Sequence, residues 1–558
     1  MKNLANQNKK MMIDYFSNYA HSLYNKYKYS QCEHSGKSEM ILAKPYDLNP
    51  HQAYRIKKMN RDLDRADSYD EWKSIALKLD EETGAQEWKY DNSSPYFDAE
   101  IISHRLNMLR RYKQSHRVVD LIYILREGLS HDVANIGHPM LFNQTYVGTK
   151  KIIEDYIEEV SLSLVYIASS QCDALKVQEK LDFFQNCKLA YGQPAMMFSG
   201  GASLGLFHTG VCKALKEQDL MPNVLSGSSA GALMTAMLGV SSPDEITELL
   251  KGEQFYSEAF HFRKFKELIR GDGGLADVRY LKKFLIENLG DLTFEEAYAK
   301  SGIDINISIA PYDVAQEDAR IMNKYTAPDL LVWSAVLASC AVPILFPPVR
   351  LTSKRYDGVH TPYLASIRWV DGSVRSDFPQ EKMSRLYNIN YTIASQVNPH
   401  IVPFMQNDAE RFRTDLLSWP ERIVRKHGKT IAMDVMNFTR DRMGRVPSIR
   451  RILDHGYGIV DQRYYGDVNI IGHCSLRHYQ YMLQNPRPHL FKILQREGER
   501  ATWSKISSIE AHARIGKTIE HCIELLNARL NPSLLFEINV KTDTTYTQSD
   551  TVTAQTEL

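Results

Sequence analysis

At 558 residues, with 43% hydrophobic and 24% charged side chains, the chain can form two or three domains, and its composition excludes both a disordered polymer and a membrane-embedded bundle. Lys and Arg number 68 against 67 Asp and Glu, so no net field argues for nucleic acid as a partner. The seven cysteines show neither C-x-x-C nor Cys/His spacing, which leaves no zinc site or disulfide framework to read and fits a reducing, intracellular compartment.

Residues 1–50 are polar, Tyr-rich and weakly periodic, and are expected to form an arm; their basic residues have no apolar core behind them, unlike a secretory signal. Residues 51–190 turn helical. Ile101, Leu106 and Leu109, then Val118, Leu121, Ile122, Ile124 and Leu125, have the spacing of apolar helix faces, and a long helix is expected over Gly148 to Ile167 with Ile152, Ile153, Tyr156, Ile157 and Val160 on one side. From Pro194 short apolar runs alternate with Gly-rich turns and helices, which predicts an α/β domain over 191–400 with a mostly parallel sheet. Its strand candidates are Ala195–Phe198, Pro222–Leu225, Ile303–Ala310 and Tyr391–Ser395. The run Leu330–Phe346, interrupted by Ser334, Ser339 and Pro343, falls short of a bilayer span and reads as a buried helix and loop. Residues 401–540 read as a basic, helical C-terminal region with a strand-like run at Asp467–Ile471, and 541–558 as a disordered, Thr-rich tail.

Two Gly-rich turns carry the chemistry. Gly227-Ser228-Ser229-Ala230-Gly231 is a G-x-S-x-G between an apolar strand and a helical run, the setting of a nucleophile elbow in which Gly227 and Gly231 leave room for a tight backbone. The competing reading of Ser229 is a helix-capping serine. Thirty residues earlier, Ser199-Gly200-Gly201-Ala202-Ser203-Leu204-Gly205 also follows a strand and precedes a helix. Its backbone N–H groups at Gly200, Gly201 and Ala202 suit an oxyanion hole, and it lacks the spacing of a dinucleotide or P-loop cradle. The serine needs a base. No late histidine has a catalytic setting, and His208, one turn into its helix, reads as structural. Asp371, at the end of Ile367-Arg368-Trp369-Val370 and followed by Gly372-Ser373, has the strand-end setting in which an Asp-Gly turn can present a carboxylate, and to serve as a base it is expected to be buried.

These segments, together with Ala338-Ser339-Cys340-Ala341-Val342-Pro343, occur in an order that resembles the patatin-like phospholipase family, and within it the plant and fungal triacylglycerol lipases. The resemblance extends to Tyr69-Asp70-Glu71-Trp72, to Gly148 through Tyr156, to Ser395 through His400 and to Ala501-Thr502-Trp503, and so covers most of the chain. It implies a patatin-type three-layer α/β/α core preceded by a helical domain, a Ser229–Asp371 dyad without histidine, and ester hydrolysis of acyl lipids without metal or cofactor. Asp272 and Asp357 also precede glycine, but Asp272 stands before the Ile303–Ala310 strand whereas the family's base follows it, and Asp357 lies in a polar stretch.

Ala202 and Leu204 replace the glycine and basic residue common in the family's first motif, and Ser373 replaces its usual Gly or Ala. Both variants resemble the lipase branch. The expected function is therefore a triacylglycerol lipase acting through an acyl-enzyme; a phospholipase A or lysophospholipase, an acyltransferase and a non-catalytic lipid-binding protein are the alternatives. The expected partners are acyl lipid and the surface of a membrane or lipid droplet, reached from the cytoplasm. Arg411–Arg451, with eleven Lys/Arg against four Asp/Glu and interleaved Phe412, Leu416, Leu417, Trp419 and Ile423, suits adsorption to anionic lipid or, equally, a solvated helix face.

Overall fold

The computed structural model describes residues 50–129, 132–170, 175–252, 276–312, 319–343, 345–374, 378–398, 402, 465–472, 482, 484, 485 and 487–531. Residues 1–49 of the expected arm, Asp272, the basic stretch Arg411–Arg451 and the C-terminal tail lie outside the described residues.

Among the described residues, seven α-helices come first: α1 (Pro50–Leu63), α2 (Tyr69–Glu82), α3 (Ala85–Tyr90), α4 (Ala99–Gln114), α5 (Val118–Gly128), α6 (Lys151–Ser169) and α7 (Val177–Tyr191). Of the face expected on the long helix, Ile153, Tyr156, Ile157 and Val160 of α6 are buried and Ile152 is half-buried, with Leu164 and Ile167 continuing the stripe; on α4, by contrast, Ile101 is exposed and its neighbour Ile102 takes the buried place. The segment before it is tied down by its own side chains. Lys150 is wholly buried and donates to the Trp88 and Asp91 carbonyls at 2.7 and 2.5 Å, while the Asp80 carboxylate accepts the N–H groups of Tyr146 and Val147.

An α/β core follows as β1 (Gln193–Phe198), α8 (Phe207–Glu217), β2 (Val224–Gly227), α9 (Ala230–Gly239), α10 (Pro243–Lys251), α11 (Val278–Leu289), α12 (Phe294–Ser301), β3 (Asp304–Pro311), β4 (Arg320–Met322), α13 (Val332–Ser339), β5 (Leu351–Lys354), β6 (His360–Tyr363), β7 (Trp369–Asp371), α14 (Gln380–Tyr387) and β8 (Ile389–Gln396). After it come β9 (Val468–Ile471), α15 (Pro488–Trp503) and α16 (Ile506–Leu530). The sheet runs β4-β3-β2-β1-β8-β9, parallel from β3 to β9, with β4 and β7 antiparallel to β3 and a separate β5–β6 hairpin. Both faces are covered, which makes three layers. Along β1, Met196 and Phe198 join the apolar core shared with α8, α9 and α15, whereas the alternate residues Ala195 and Met197 join Phe378, Met383 and Tyr387 around α14.

Two features of the packing differ from the linear division of the sequence. The sheet takes β9 from beyond residue 400, because Val468–Ile471 pairs in parallel with Ile393–Gln396. The helices before residue 190 also share cores with later elements: Tyr69, Trp72 and Leu79 of α2 pack in one core with Phe207, Leu494 and Trp503, and α4 to α7 surround Ile515, Ile519, Cys522 and Leu526 of α16. The Gly148 N–H donates to Ser507 Oγ of α16 at 2.9 Å.

Candidate active site

The site gathers at the carboxyl ends of β1 and β2, where ligands of open α/β sheets bind. β2 ends at Gly227 and α9 begins at Ala230, leaving Ser229 at the tip with φ 51° and ψ −119°. That backbone costs a non-glycine residue roughly 1–3 kcal/mol and marks a strained strand-to-helix turn. The flanking glycines make it sterically feasible. A Cβ on Gly227 would lie 2.2 Å from the Gly231 carbonyl oxygen, and one on Gly231 would lie 2.2 Å from that of Phe198. Ser229 occupies the N-cap position of α9 yet its side chain makes no capping hydrogen bond, which removes the capping reading. Its residue surface is 9% exposed.

Asp371 reaches this turn through strand pairing. Ile307 of β3 pairs with Gly227 of β2 and with Met322 of β4; Ile309 pairs with Asp371 of β7 and with Arg320 of β4. Since β4 pairs with Ile307 to Ile309 and so holds one edge of β3 across the junction, β2 and β7 share the other edge, end to end. Their pairing points are two positions apart on β3, with Ser308 between them, about 7 Å along the strand. Asp371 is wholly buried, donates its N–H to the Ala341 carbonyl at 3.1 Å, and accepts the Ser373 N–H on Oδ1 at 2.8 Å. Cys340 stands between the two: its thiol donates to the Ser229 carbonyl at 3.4 Å, and burial, then the Asp371 charge, push that thiol's pKa up.

Gly200 lies against the same point, since a Cβ there would be 3.3 Å from Ser229 Cβ and 3.7 Å from Ser373 Cβ. Its loop is held from several sides. The Ser199 N–H donates to the Ser395 carbonyl, Ser199 Oγ donates to the Gly200 carbonyl at 3.1 Å and accepts the Val397 N–H at 2.9 Å, and Gly201 packs on the Val397 side chain. Ala202, at φ 49°, starts a 3₁₀ turn (Ala202–Leu206) into α8, and Ser203 bonds the Met482 and Gln484 carbonyls. With the Gly200 carbonyl drawn to Ser199, the N–H of the same trans peptide, that of Gly201, faces the opposite way.

His208 is wholly buried behind this loop. Its Nε2–H donates to the Ser199 carbonyl at 3.0 Å, which leaves Nδ1 to accept from the Ser395 hydroxyl at 2.7 Å. Both nitrogens are spent, as expected of a structural histidine. Burial pushes its pKa from 6.5 down to about 4, against a smaller upward pull from the Ser199 carbonyl. Below pH 6.5 the unfolded chain thus takes up a proton that the folded one refuses. Stability is expected to be complete above pH 6.5 and to fall by about 3 kcal/mol as the pH drops to 4. Urea midpoints between pH 7 and pH 4.5 should decline less steeply for His208→Gln than for wild type; parallel declines would refute this.

Asp357 sits exposed in the turn joining β5 to β6, away from these contacts. Among the described residues no three His, Cys, Asp or Glu side chains converge as a metal set, and no helix is long and apolar enough to cross a membrane. Ser339, Cys340, Ser373 and Ser395 touch the site without having been given a role from sequence. Each lies inside a quoted motif, which was the available signal.

Residues 50–189 match the family described as "Domain of unknown function (DUF3336)", and residues 196–383 match "Patatin-like phospholipase". The chain is 31% identical over 470 residues to Triacylglycerol lipase ptl3 of Schizosaccharomyces pombe, covering 81% of this chain and 94% of that protein. It is 31% identical over 491 residues to Triacylglycerol lipase SDP1L of Arabidopsis thaliana, covering 85% and 59%, and 31% identical over 518 residues to Triacylglycerol lipase 4 of Saccharomyces cerevisiae, covering 89% and 56%. It thus spans little more than half the length of the latter two.

Proposed function

Because this chain belongs to the patatin-like phospholipase family, we propose that it is a lipid acyl hydrolase that cleaves carboxylic esters of acylglycerols through Ser229 and Asp371. The observation that carries this reading is the end-to-end arrangement of β2 and β7 on one edge of β3, with a strained serine at one end and a buried aspartate at the other. Asp371 takes the Ser229 proton, the serine oxygen attacks the acyl carbonyl, and the N–H groups of Gly201 and Ala202 hold the oxyanion. The alcohol leaves with the proton. Water then attacks the acyl-enzyme and releases the fatty acid. His208 takes no part, since its two nitrogens are bonded elsewhere.

The named triacylglycerol lipases among the relatives favour acylglycerols over phospholipids, and Arg411–Arg451 supports action at a membrane or lipid-droplet surface. Purified protein should be given triacylglycerol and diacylglycerol as emulsions and phospholipid as vesicles, with fatty-acid release and co-flotation read from the same samples. Release from the acylglycerols, with flotation weakened by neutralising Arg422, Arg425, Lys426 and Lys429, is expected. Faster release from phospholipid identifies a phospholipase, and acyl transfer to an added lysolipid a transferase. No release from any ester, with no fluorophosphonate labelling of Ser229, leaves a lipid-binding protein.

A further inference from the structure

A non-glycine residue at φ 51°, ψ −119° persists only where its surroundings over-determine it, so something must hold Ser229 there. Two consecutive residues at the end of α13 do so. The Ser229 N–H donates to Ser339 Oγ at 2.9 Å, and the Ser339 hydroxyl donates onward to the Ser308 carbonyl of β3 at 2.8 Å. On the other side of the same Cα, the Ser229 carbonyl accepts the Cys340 thiol at 3.4 Å. Both peptide groups that set φ and ψ of Ser229 are therefore tied to one short segment.

That segment also holds the aspartate. Ala341 accepts the Asp371 N–H at 3.1 Å, and Ser308, which receives the Ser339 hydroxyl, lies against Gly372 so closely that a Cβ there would be 2.4 Å from the Ser308 carbonyl. Ser308 itself precedes Ile309, the β3 partner of Asp371. Ser339, Cys340 and Ala341 thus contact the backbone on both sides of the dyad.

We propose that Ser339 is a positioning residue that sets Ser229 relative to Asp371, its hydroxyl bridging the nucleophile turn to the strand that carries the base. The proposal rests on the reading of these two residues as the dyad. Ser339 acts through the Ser229 backbone and touches no substrate. The position demands a small group that accepts and donates at once, and Ser339 is wholly buried, so bulk water has no access to take over either bond. Alanine strips the Ser229 N–H of its acceptor and lets the turn relax, moving the nucleophile while leaving the ester pocket untouched.

The test uses the full chain, a soluble nitrophenyl ester, and the rate of fluorophosphonate labelling at Ser229, with melting temperature recorded alongside. Ser339→Ala is expected to lower kcat and the labelling rate together by on the order of tenfold to a hundredfold, with KM changed by less than about twofold. Ser339→Thr, which keeps the hydroxyl, should restore most of both. Should the alanine variant fail to fold, Ser339→Cys keeps the volume with weaker hydrogen bonding and should lose severalfold in both rates. Wild-type kcat and labelling in folded Ser339→Ala or Ser339→Cys, or a loss confined to KM, overturns this proposal alone. A wild-type chain that neither hydrolyses ester nor labels at Ser229 overturns the dyad reading, and this proposal with it.

Discussion

Ser229→Ala and Asp371→Asn are each expected to lower ester turnover by about 10⁴-fold, the scale at which removing a nucleophile or its activating partner acts in serine hydrolases. The two should be nearly non-additive, because a serine without its base and a base without its serine lose the same step. Ser229→Ala removes one hydroxyl that makes no capping bond, and Asp371→Asn keeps the oxygen that accepts the Ser373 N–H, so both proteins should stay folded. The comparison that decides the base is with the other Asp-Gly pairs. Asp357→Asn alters an exposed turn joining β5 to β6 and should keep most activity, as should Asp272→Asn. A dead Asp272→Asn beside an active Asp371→Asn would reverse the assignment.

The second large effect is expected where α8 crosses α15. A Cβ on Gly210 would lie 1.8 Å from the Gln495 carbonyl oxygen, and one on Gly498 would lie 2.2 Å from that of Phe207. Backbone meets backbone at both points, so no side chain can give way and the helices themselves must separate. α15 cannot move freely. Arg496 and Arg500 donate to the Asp67 and Ala66 carbonyls, Gln495 donates to the Leu250 carbonyl, and the buried Glu499 carboxylate accepts Lys213 of α8 at 2.7 Å. Gly498→Ala or Gly210→Ala should therefore cost about 3 kcal/mol or more in urea unfolding, at the upper end for overpacking. Activity should fall as well, because α8 continues directly from the turn that follows Gly200 and Gly201. An unchanged midpoint in Gly498→Ala would show that the helices do not meet this closely.

Much of this was legible from local pattern. A strand of the parallel sheet buried on both faces needs a continuous apolar run, so β1, β2, β3, β8 and β9 stood out within two residues, and the long amphipathic α6 within three. The G-x-S-x-G turn was equally visible as a local pattern, although only the room at Gly227 is set within the turn, by Gly231, while that at Gly231 is set by Phe198 of β1. Strand β4, three residues long, is too short to show a period, and the β5–β6 hairpin alternates only weakly, so neither was read, whereas β7 was visible as the strand end before Asp371-Gly372.

What only the tertiary structure decided is who lies beside whom. The pairing of Ile309 with Asp371 joins residues sixty-two apart, and nothing in either segment specifies that β7 takes the edge of β3 that β2 vacates. The same holds for Ser339 beneath Ser229, His208 between Ser199 and Ser395, and α2 and α15 in one core with α8. Sequence periodicity records which face of an element seeks burial. Which surface it is buried against is settled by shape and backbone hydrogen bonding among elements distant in the chain, and at this site that choice brings a strained serine and a buried carboxylate to the same end of one sheet.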